Sequence, residues 1–218
     1  MAESEIQQRF RFPGFGLYPL ADSAAWVEQL VMAGVELVQL RLKSRPDADP
    51  ELEIPAAVAA ARGAGARLVV NGDWRLALAH GAQGVHLGLA DWNEVDLAAV
   101  REAGLIVGAS VHNFAEIHQA FALQPDYLTL GTVFPTPSKD PGSPTLGRAG
   151  FEALRAQIPL PTAAIGGLGL ENAGALLAAG ADAVCVISDL RDHRDLATRV
   201  AEWRRLFASH GHRHLVAS

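Results

Sequence analysis

The sequence predicts an α/β fold, a single (β/α)8 TIM barrel, on three observations. Eight short apolar runs alternate with helical patterns in units of roughly 25 residues, the rhythm of a parallel sheet with helical crossovers. The first strand-to-helix turn, Leu20 to Ser23, lacks the glycine-rich fingerprint of an open dinucleotide-binding sheet. The 218 residues are 50% hydrophobic with no linker or composition break, so one barrel-sized core is expected across 1–218. A mobile arm over about 1–12 and a tail over about 209–218 are expected to flank it.

Gly16 to Leu20 reads as the first strand. Asp22 or Ser23 is placed to cap the following helix, whose Trp26, Leu30 and Val31 share one face before Gly34 ends it. Val35 to Lys43 reads as the second strand, and its parity is informative. Odd positions are apolar first (Val35, Leu37) and then polar (Gln39, Arg41, Lys43), while even positions from Val38 onward stay apolar. Alternate strand residues face opposite sides, so this pattern fits an inner face that lines a core and then emerges at a barrel's C-terminal mouth.

Ser44 to Pro55 reads as a loop and Ala56 to Gly63 as an alanine-rich helix. Ala66 to Asp73 is the third strand with its mouth, Trp74 to His80 a short helix, and Gly84 to Gly88 a brief fourth strand. Asp91 follows in a loop before a helix near Glu94 to Ala103. Leu105 to His112 is the fifth strand, and a helix from Phe114 to Leu123 leads to the sixth, beginning at Tyr127. Pro135 and Pro137 stop that strand, because proline cannot extend a hydrogen-bonded ladder. After a loop from Asp140 to Gly147, Phe151 to Gln157 is helical, Thr162 to Gly167 is the seventh strand and Glu171 to Gly180 a helix. Ala183 to Ser188 is the eighth strand. Leu196 to Phe207 closes the series, with Val200, Trp203 and Leu206 or Phe207 as its apolar stripe.

The net charge of −6 gives no field for nucleic acid or a membrane surface, so neither is an expected partner. No run reaches the ~20 apolar residues that span a bilayer, and nothing resembles a signal peptide, so a cytoplasmic protein is expected. Cys185 is the only cysteine and cannot form an internal disulfide. Within Ala183-Val184-Cys185-Val186-Ile187 it reads as a small core residue. His210, His212 and His214 have no cysteine or carboxylate beside them and read as a frayed tail rather than a metal clamp.

Barrel chemistry belongs at the C-terminal strand ends. Those ends carry Gln39, Arg41 and Lys43; Asn71 and Asp73; Asp91; Ser110 and His112; Thr136, Ser138 and Lys139; Gly166 and Gly167; and Ser188. Cations with hydroxyls and bare glycine amides suit phosphate or pyrophosphate. Carboxylates beside them suit Mg²⁺, which takes one or two carboxylates plus phosphate oxygens. Gly166-Gly167 before a helix, with Ser188 ending the next strand, occupies the usual barrel position for a phosphate.

Several motifs then stand in a telling order: Val38-Gln39-Leu40-Arg41-x-Lys43, Asn71-x-x-Trp74-Arg75-Leu76-Ala77, Gly84-Val85-His86-Leu87-Gly88-x-x-Asp91, Gly108-x-Ser110-x-His112, Gly131-x-Val133-Phe134-Pro135-Thr136-x-Ser138-Lys139 and Ala164-Ile165-Gly166-Gly167. The chain from about Gly16 to Phe207 resembles the thiamine phosphate synthases, (β/α)8 barrels that join a hydroxymethylpyrimidine diphosphate to a thiazole phosphate and release pyrophosphate with Mg²⁺. The resemblance implies that Gln39, Arg41, Lys43 and Asn71 hold the pyrimidine diphosphate, with Ser110 and Lys139 on its phosphates. It implies Thr136, Ser138, Gly167, Ile187 and Ser188 for the thiazole phosphate, and Asp91 for Mg²⁺. The family chemistry is loosely dissociative, so stabilising the departing pyrophosphate matters more than a protein base.

One motif departs. Where the family has Asn-Asp, with the Asp on Mg²⁺, this chain has Asn71-Gly72-Asp73, and Leu89-Ala90 replaces a polar pair. On a regular strand Asp73 would face the wrong side, and a bend at the glycine would be needed to bring it round as the second ligand. A sister group, the TenI-like thiazole tautomerases, shares the barrel and most motifs without Mg²⁺. There His112 would be the proton-transfer residue. A non-catalytic binder of thiazole or thiamine phosphate is a third possibility. Mg²⁺-dependent pyrophosphate release separates the first reading from the others, and proton exchange in the thiazole separates the second from the third. The sequence leaves the oligomeric state open, a homo-oligomer included.

Overall fold

The computed structural model describes residues 15–138, 142 and 144–211. The expected arm, most of the expected tail (His212 and His214 with it) and Lys139 lie outside the described residues.

Eight parallel strands close on themselves in chain order: β1 Leu17–Ala21, β2 Leu37–Leu40, β3 Arg67–Asn71, β4 Gly84–Leu87, β5 Ile106–Val111, β6 Tyr127–Gly131, β7 Thr162–Ile165 and β8 Ala183–Val186. The ring closes where β1 pairs with β8, Tyr18 standing opposite Cys185. Short strands suffice because each is buried on both sides, inwards on the barrel axis and outwards under the helices. The outward residues, among them Val38, Leu40, Leu68, Val70, Leu128, Leu130 and Val184, join the helices in one large apolar cluster. The inward residues form a second, smaller one around Phe15, Tyr18, Leu20, Leu37, Val69, Tyr127, Ala163, Ala183 and Cys185. The parity read from β2 holds over the strand itself, with Leu37 and Gln39 inside and Val38 and Leu40 outside, whereas Val35, expected inside, precedes the strand and joins the outer cluster.

Helix starts follow local chemistry. Ser23, Asp73, Asp96, Asn113 and Asp195 each turn a side-chain oxygen to an amide of the first turn of the helix that follows, supplying a partner the helix cannot. Asp22, the other candidate for the first cap, instead takes both ends of the Arg191 guanidinium at 2.6 and 2.7 Å. That fork ties the end of β1 to the short helix Ser188–Arg191 after β8, an element the sequence reading missed. Its Arg191 also lies 5.6 Å above the Trp26 ring.

Several expected boundaries move, among them the helix expected at Phe151 to Gln157, which spans Gly147–Arg155, and that expected near Glu94 to Ala103, which spans Leu97–Glu102. The helix after β2 spans Pro50–Gly63 rather than starting after Pro55, because Asp49 caps it and Pro50 fits the first helical position. Pro55 then sits inside it without a donor to give. Lys43 leaves the strand in a 3₁₀ turn, Leu42–Ser44, and Asp91 ends another, Leu89–Asp91. Ser209 completes the last helix, Leu196–Ser209, and His210 returns its Nδ1 to the Leu206 carbonyl at 2.9 Å, so the start of the expected tail is ordered.

The interior is filled by aromatics rather than by branched aliphatics alone. Tyr127 packs edge-on to Phe15 and Tyr18, with ring centroids 5.4 and 5.9 Å away, contacts worth about 0.5–1.5 kcal/mol each beyond their burial. Space for Tyr127 comes from Gly108, its partner across β5 and β6, where a Cβ would overlap the tyrosine ring. Gly108→Val should therefore cost at least about 2 kcal/mol in urea denaturation, by overpacking. Gly63→Ala, with open space and helical backbone, should gain roughly 0.5 kcal/mol. Equal midpoints for the two variants would mean that the interior has slack.

Candidate active site at the strand ends

The barrel mouth divides into two adjoining basins. One, of about 160 Å³, is lined by Arg41, Ser110, His112, Thr136, Ser138, Gly166, Gly167, Ile187 and Ser188. The other, of about 530 Å³, is lined by Lys43, Asn71, Gly72, Asp73, Trp74 and Asp91. Residues scattered over 150 positions of sequence, Gln39 to Ser188, thus meet at one end of the ring, as expected from strand-end positions. Gln39 itself lies below the floor, buried to 2% exposure, and reaches the mouth through Asn71, whose Nδ2 donates to Gln39 Oε1 at 2.9 Å. Lys139 was expected here and lies outside the described residues.

The larger basin carries opposed charges. Lys43 Nζ stands 3.3 Å from both Asp91 oxygens, and the Gly88 amide donates to Asp91 Oδ2 at 2.8 Å. Gly72 has φ +82°, a left-handed turn that suits glycine, and this is the bend needed to bring Asp73 to the same basin. Asp73 is committed there in part, because its Oδ1 caps the next helix by accepting from the Leu76 amide at 3.0 Å. A Cβ on Gly72 would lie 3.6 Å from each Asp91 oxygen. The position is therefore aimed at Asp91 and supplies no ligand of its own. Among the described residues no three His, Cys, Asp or Glu side chains form a metal cage. The donor set suits Mg²⁺ only as an ion that takes most of its shell from ligand oxygens and water, with Asp91 and then Asp73 as its carboxylates.

The smaller basin is built on exposed backbone. Gly166 and Gly167 have φ +105° and +63°. A Cβ on Gly166 would meet Thr132, and one on Gly167 would overlap the Pro135 carbonyl. The β6 extension is held against this turn by Val133 donating to the Ile165 carbonyl at 2.9 Å and Phe134 to that of Gly166 at 3.0 Å. Thr136 and Ser138 face the same space from that extension, and Thr136 Oγ1 accepts from the Ser138 amide at 3.4 Å. His112 is steadied by Glu116, whose Oε2 lies 2.7 Å from Nδ1 and 2.8 Å from the His112 amide nitrogen.

Beneath both basins runs a polar network that the sequence reading missed. Gln39 Nε2 donates to the Tyr18 hydroxyl at 3.0 Å, and Tyr18 and Tyr127 share a hydrogen bond of 2.7 Å. Tyr127 lies 3.0 Å from His86 Nδ1, and His86 Nε2 lies 2.8 Å from Ser110 Oγ. Thr129 Oγ1 donates to Ser110 Oγ at 3.2 Å. Burial holds the His86 imidazole down to about 3, so it is neutral, and pushes both tyrosine hydroxyls well above their usual range. The signal was present in the parity of the strands: Tyr18 and Tyr127 fall on inward positions, where a hydroxyl needs a buried partner.

A profile of the family described as "Thiamine monophosphate synthase" matches residues 17–190. The chain is 44% identical over 194 residues to "Thiamine-phosphate synthase" of Salmonella paratyphi B, covering 88% of this chain and 89% of that protein. It is equally identical, again over 194 residues, to the protein of that name in Klebsiella pneumoniae, at 87% of each. Among solved structures, "Thiamine phosphate pyrophosphorylase" of Pyrococcus furiosus superposes with a TM-score of 0.76 at 28% identity, covering 91% of this chain and 98% of that one. A 3-hexulose-6-phosphate synthase of Salmonella typhimurium, 16% identical with a TM-score of 0.69 over 89% of this chain and 99% of that one, shares the fold.

Gly166→Ala should disturb the smaller basin through both the added methyl at Thr132 and the positive φ, at a cost of about 1–3 kcal/mol. Urea denaturation gives the loss, and calorimetry with inorganic phosphate should show weakened binding. Binding as tight as in the parent would remove this turn from the anion site.

Proposed function

The chain belongs to the thiamine monophosphate synthase family, and on that premise we propose how its mouth works as a transferase of thiamine biosynthesis. The reaction joins a hydroxymethylpyrimidine diphosphate to a thiazole phosphate and releases pyrophosphate. The bond from the pyrimidine methylene to the diphosphate oxygen breaks, and the thiazole nitrogen takes that carbon. No proton has to be removed by the protein, so the residues act by placing two anions and accepting charge on the leaving group.

Arg41, Lys43 and Ser110, with Lys139 carried from the sequence motif, stabilise the departing diphosphate. Asn71, held by its hydrogen bond to the buried Gln39, presents the amide edge that orients the pyrimidine, and Gln39 acts through it. Thr136, Ser138, Gly166, Gly167, Ile187 and Ser188 form the cradle for the thiazole phosphate. Asp91, with Asp73, would hold Mg²⁺ against the diphosphate, where the ion supplies positive charge as pyrophosphate leaves. Lys43 balances Asp91 at 3.3 Å and so keeps this carboxylate from repelling the incoming diphosphate. His112, fixed by Glu116, borders the cradle and orients the thiazole side.

One observation carries the reading. Arg41 and Ser110 of the pyrimidine side line the same basin as Thr136, Ser138, Gly167 and Ser188 of the thiazole side, so the two substrates would share one space.

The test mixes both phosphorylated substrates with and without Mg²⁺ and follows coupled product and pyrophosphate. Product is expected with Mg²⁺. Arg41→Ala should lower kcat/KM at least about a hundredfold, the usual effect of removing one charge-stabilising donor, and Lys139→Ala should do the same with little change in folding. Asp91→Ala should raise the Mg²⁺ requirement more than Asp73→Ala, since Asp73 also caps a helix. Proton exchange in the thiazole without coupling would mark the tautomerase instead, and full activity in Arg41→Ala would remove this mouth as the site.

A further inference from the structure

We propose that a one-way chain of hydrogen bonds through the barrel interior, from Asn71 by way of Gln39, Tyr18, Tyr127 and His86 to Ser110, leaves Ser110 as an obligate donor to the diphosphate. His86, Tyr127 and Tyr18 are then positioning residues for the reaction, acting through the Ser110 hydroxyl. The naming of the diphosphate rests on the proposed function; the direction of the chain does not.

The direction follows from counting hydrogens. Asn71 Nδ2 donates to Gln39 Oε1, which turns Gln39 Nε2 to donate to the Tyr18 oxygen. A phenol has one hydrogen, and Tyr18, having accepted, gives its own to the Tyr127 oxygen at 2.7 Å. Tyr127 in turn gives its hydrogen to His86 Nδ1 at 3.0 Å. A neutral imidazole carries a single proton, so with Nδ1 accepting, the proton sits on Nε2 and points to Ser110 Oγ at 2.8 Å. Thr129 Oγ1 fills the remaining acceptor direction of Ser110 from 3.2 Å. Both lone pairs of the serine oxygen are then engaged from below, and its hydrogen is directed to the basin that Ser110 lines.

The chemical consequence is selectivity for a group that can accept. A diphosphate oxygen is such a group. An ammonium or an amide N–H offered at the same point would meet a donor and find no lone pair. Burial makes the order rigid, because reversing any one link leaves two donors or two acceptors face to face in a medium that cannot solvate them, at about 1–3 kcal/mol for each group left unpaired. Tyr18, His86 and Tyr127 are each 2% exposed or less, so water cannot repair a reversed link.

The tautomer of His86 reads the chain's direction without any assay of activity. In the wild-type protein labelled with ¹⁵N-histidine, with the signal assigned by its loss in His86→Gln, long-range ¹⁵N–¹H correlation should show a neutral ring protonated at Nε2. A ring protonated at Nδ1, or at both nitrogens, near neutral pH would overturn the proposal. Tyr127→Phe cuts the chain and should raise KM for the pyrimidine diphosphate about tenfold with KM for the thiazole phosphate unchanged. In the Ser110→Ala background the same change should add nothing further. Equal rises for both substrates, or a full additional loss in the double variant, would also overturn it. If Tyr127→Phe fails to fold, the wild-type spectrum decides alone. A protein that gives the Nε2 tautomer but no coupled product would retain the chain and lose the synthase reading.

Discussion

The constraint on which this molecule turns is that a closed ring of parallel strands shuts its axis off from water, yet this ring buries two phenols, an imidazole, an amide and an alcohol there, with Asn71 and Ser110 joining them from the mouth. Each must find its partner among the others. The geometry answers that demand with links of 2.7 to 3.4 Å running from β2 and β3 across the axis to β5 and β6. Such a network is costly when half made and rigid when complete. Gly108 belongs to the same constraint, since the ring that bears the central hydroxyl fits only where its neighbour has no side chain. The mouth is therefore assembled on a floor that cannot shift by a rotamer.

Above that floor the division of labour follows strand order. The ends of β2, β3 and β4 bring cations and carboxylates, and those of β6, β7 and β8 bring hydroxyls and bare amides. Arg41 and Ser110 stand at the boundary. Charge is thus concentrated in the larger basin, with Lys43, Asp73 and Asp91 in its lining, and hydroxyls and bare amides in the smaller one. No helix among the described residues is long and apolar enough to cross a membrane.

Much of this was legible in the amino-acid order, and for identifiable reasons. The strands were readable because burial on both faces leaves uninterrupted apolar runs such as Leu68 to Val70 and Ala183 to Val186, and β2 even disclosed its facing through Gln39 and Arg41. Gly72 announced the bend that carries Asp73 to the basin. What stayed hidden depended on contacts between distant segments. Tyr18 and Tyr127, 109 positions apart, look like ordinary strand aromatics until the ring closes and their hydroxyls meet. Asp22 looked like a cap until Arg191, 169 positions away, claimed it. Pro55 was misread as a boundary because a proline inside a helix loses one hydrogen bond, and the strength of the Asp49 and Pro50 start outweighed that loss.

The Asp22–Arg191 fork has a further meaning. Seven of the eight strand junctions are bridged by the chain's own crossovers, but the meeting of first and last strands has no such tether, and this ion pair spans it. Its guanidinium holds the Asp22 carboxyl below the usual carboxylate range. The fork is therefore fully formed above the ordinary carboxylate pKa of about 4, and its help is lost as acidity drives that group to protonate. Being partly solvated, it is worth under about 1 kcal/mol. Acid would accordingly remove one side-chain tie from the seam between first and last strands, while the backbone ladder that joins them stays.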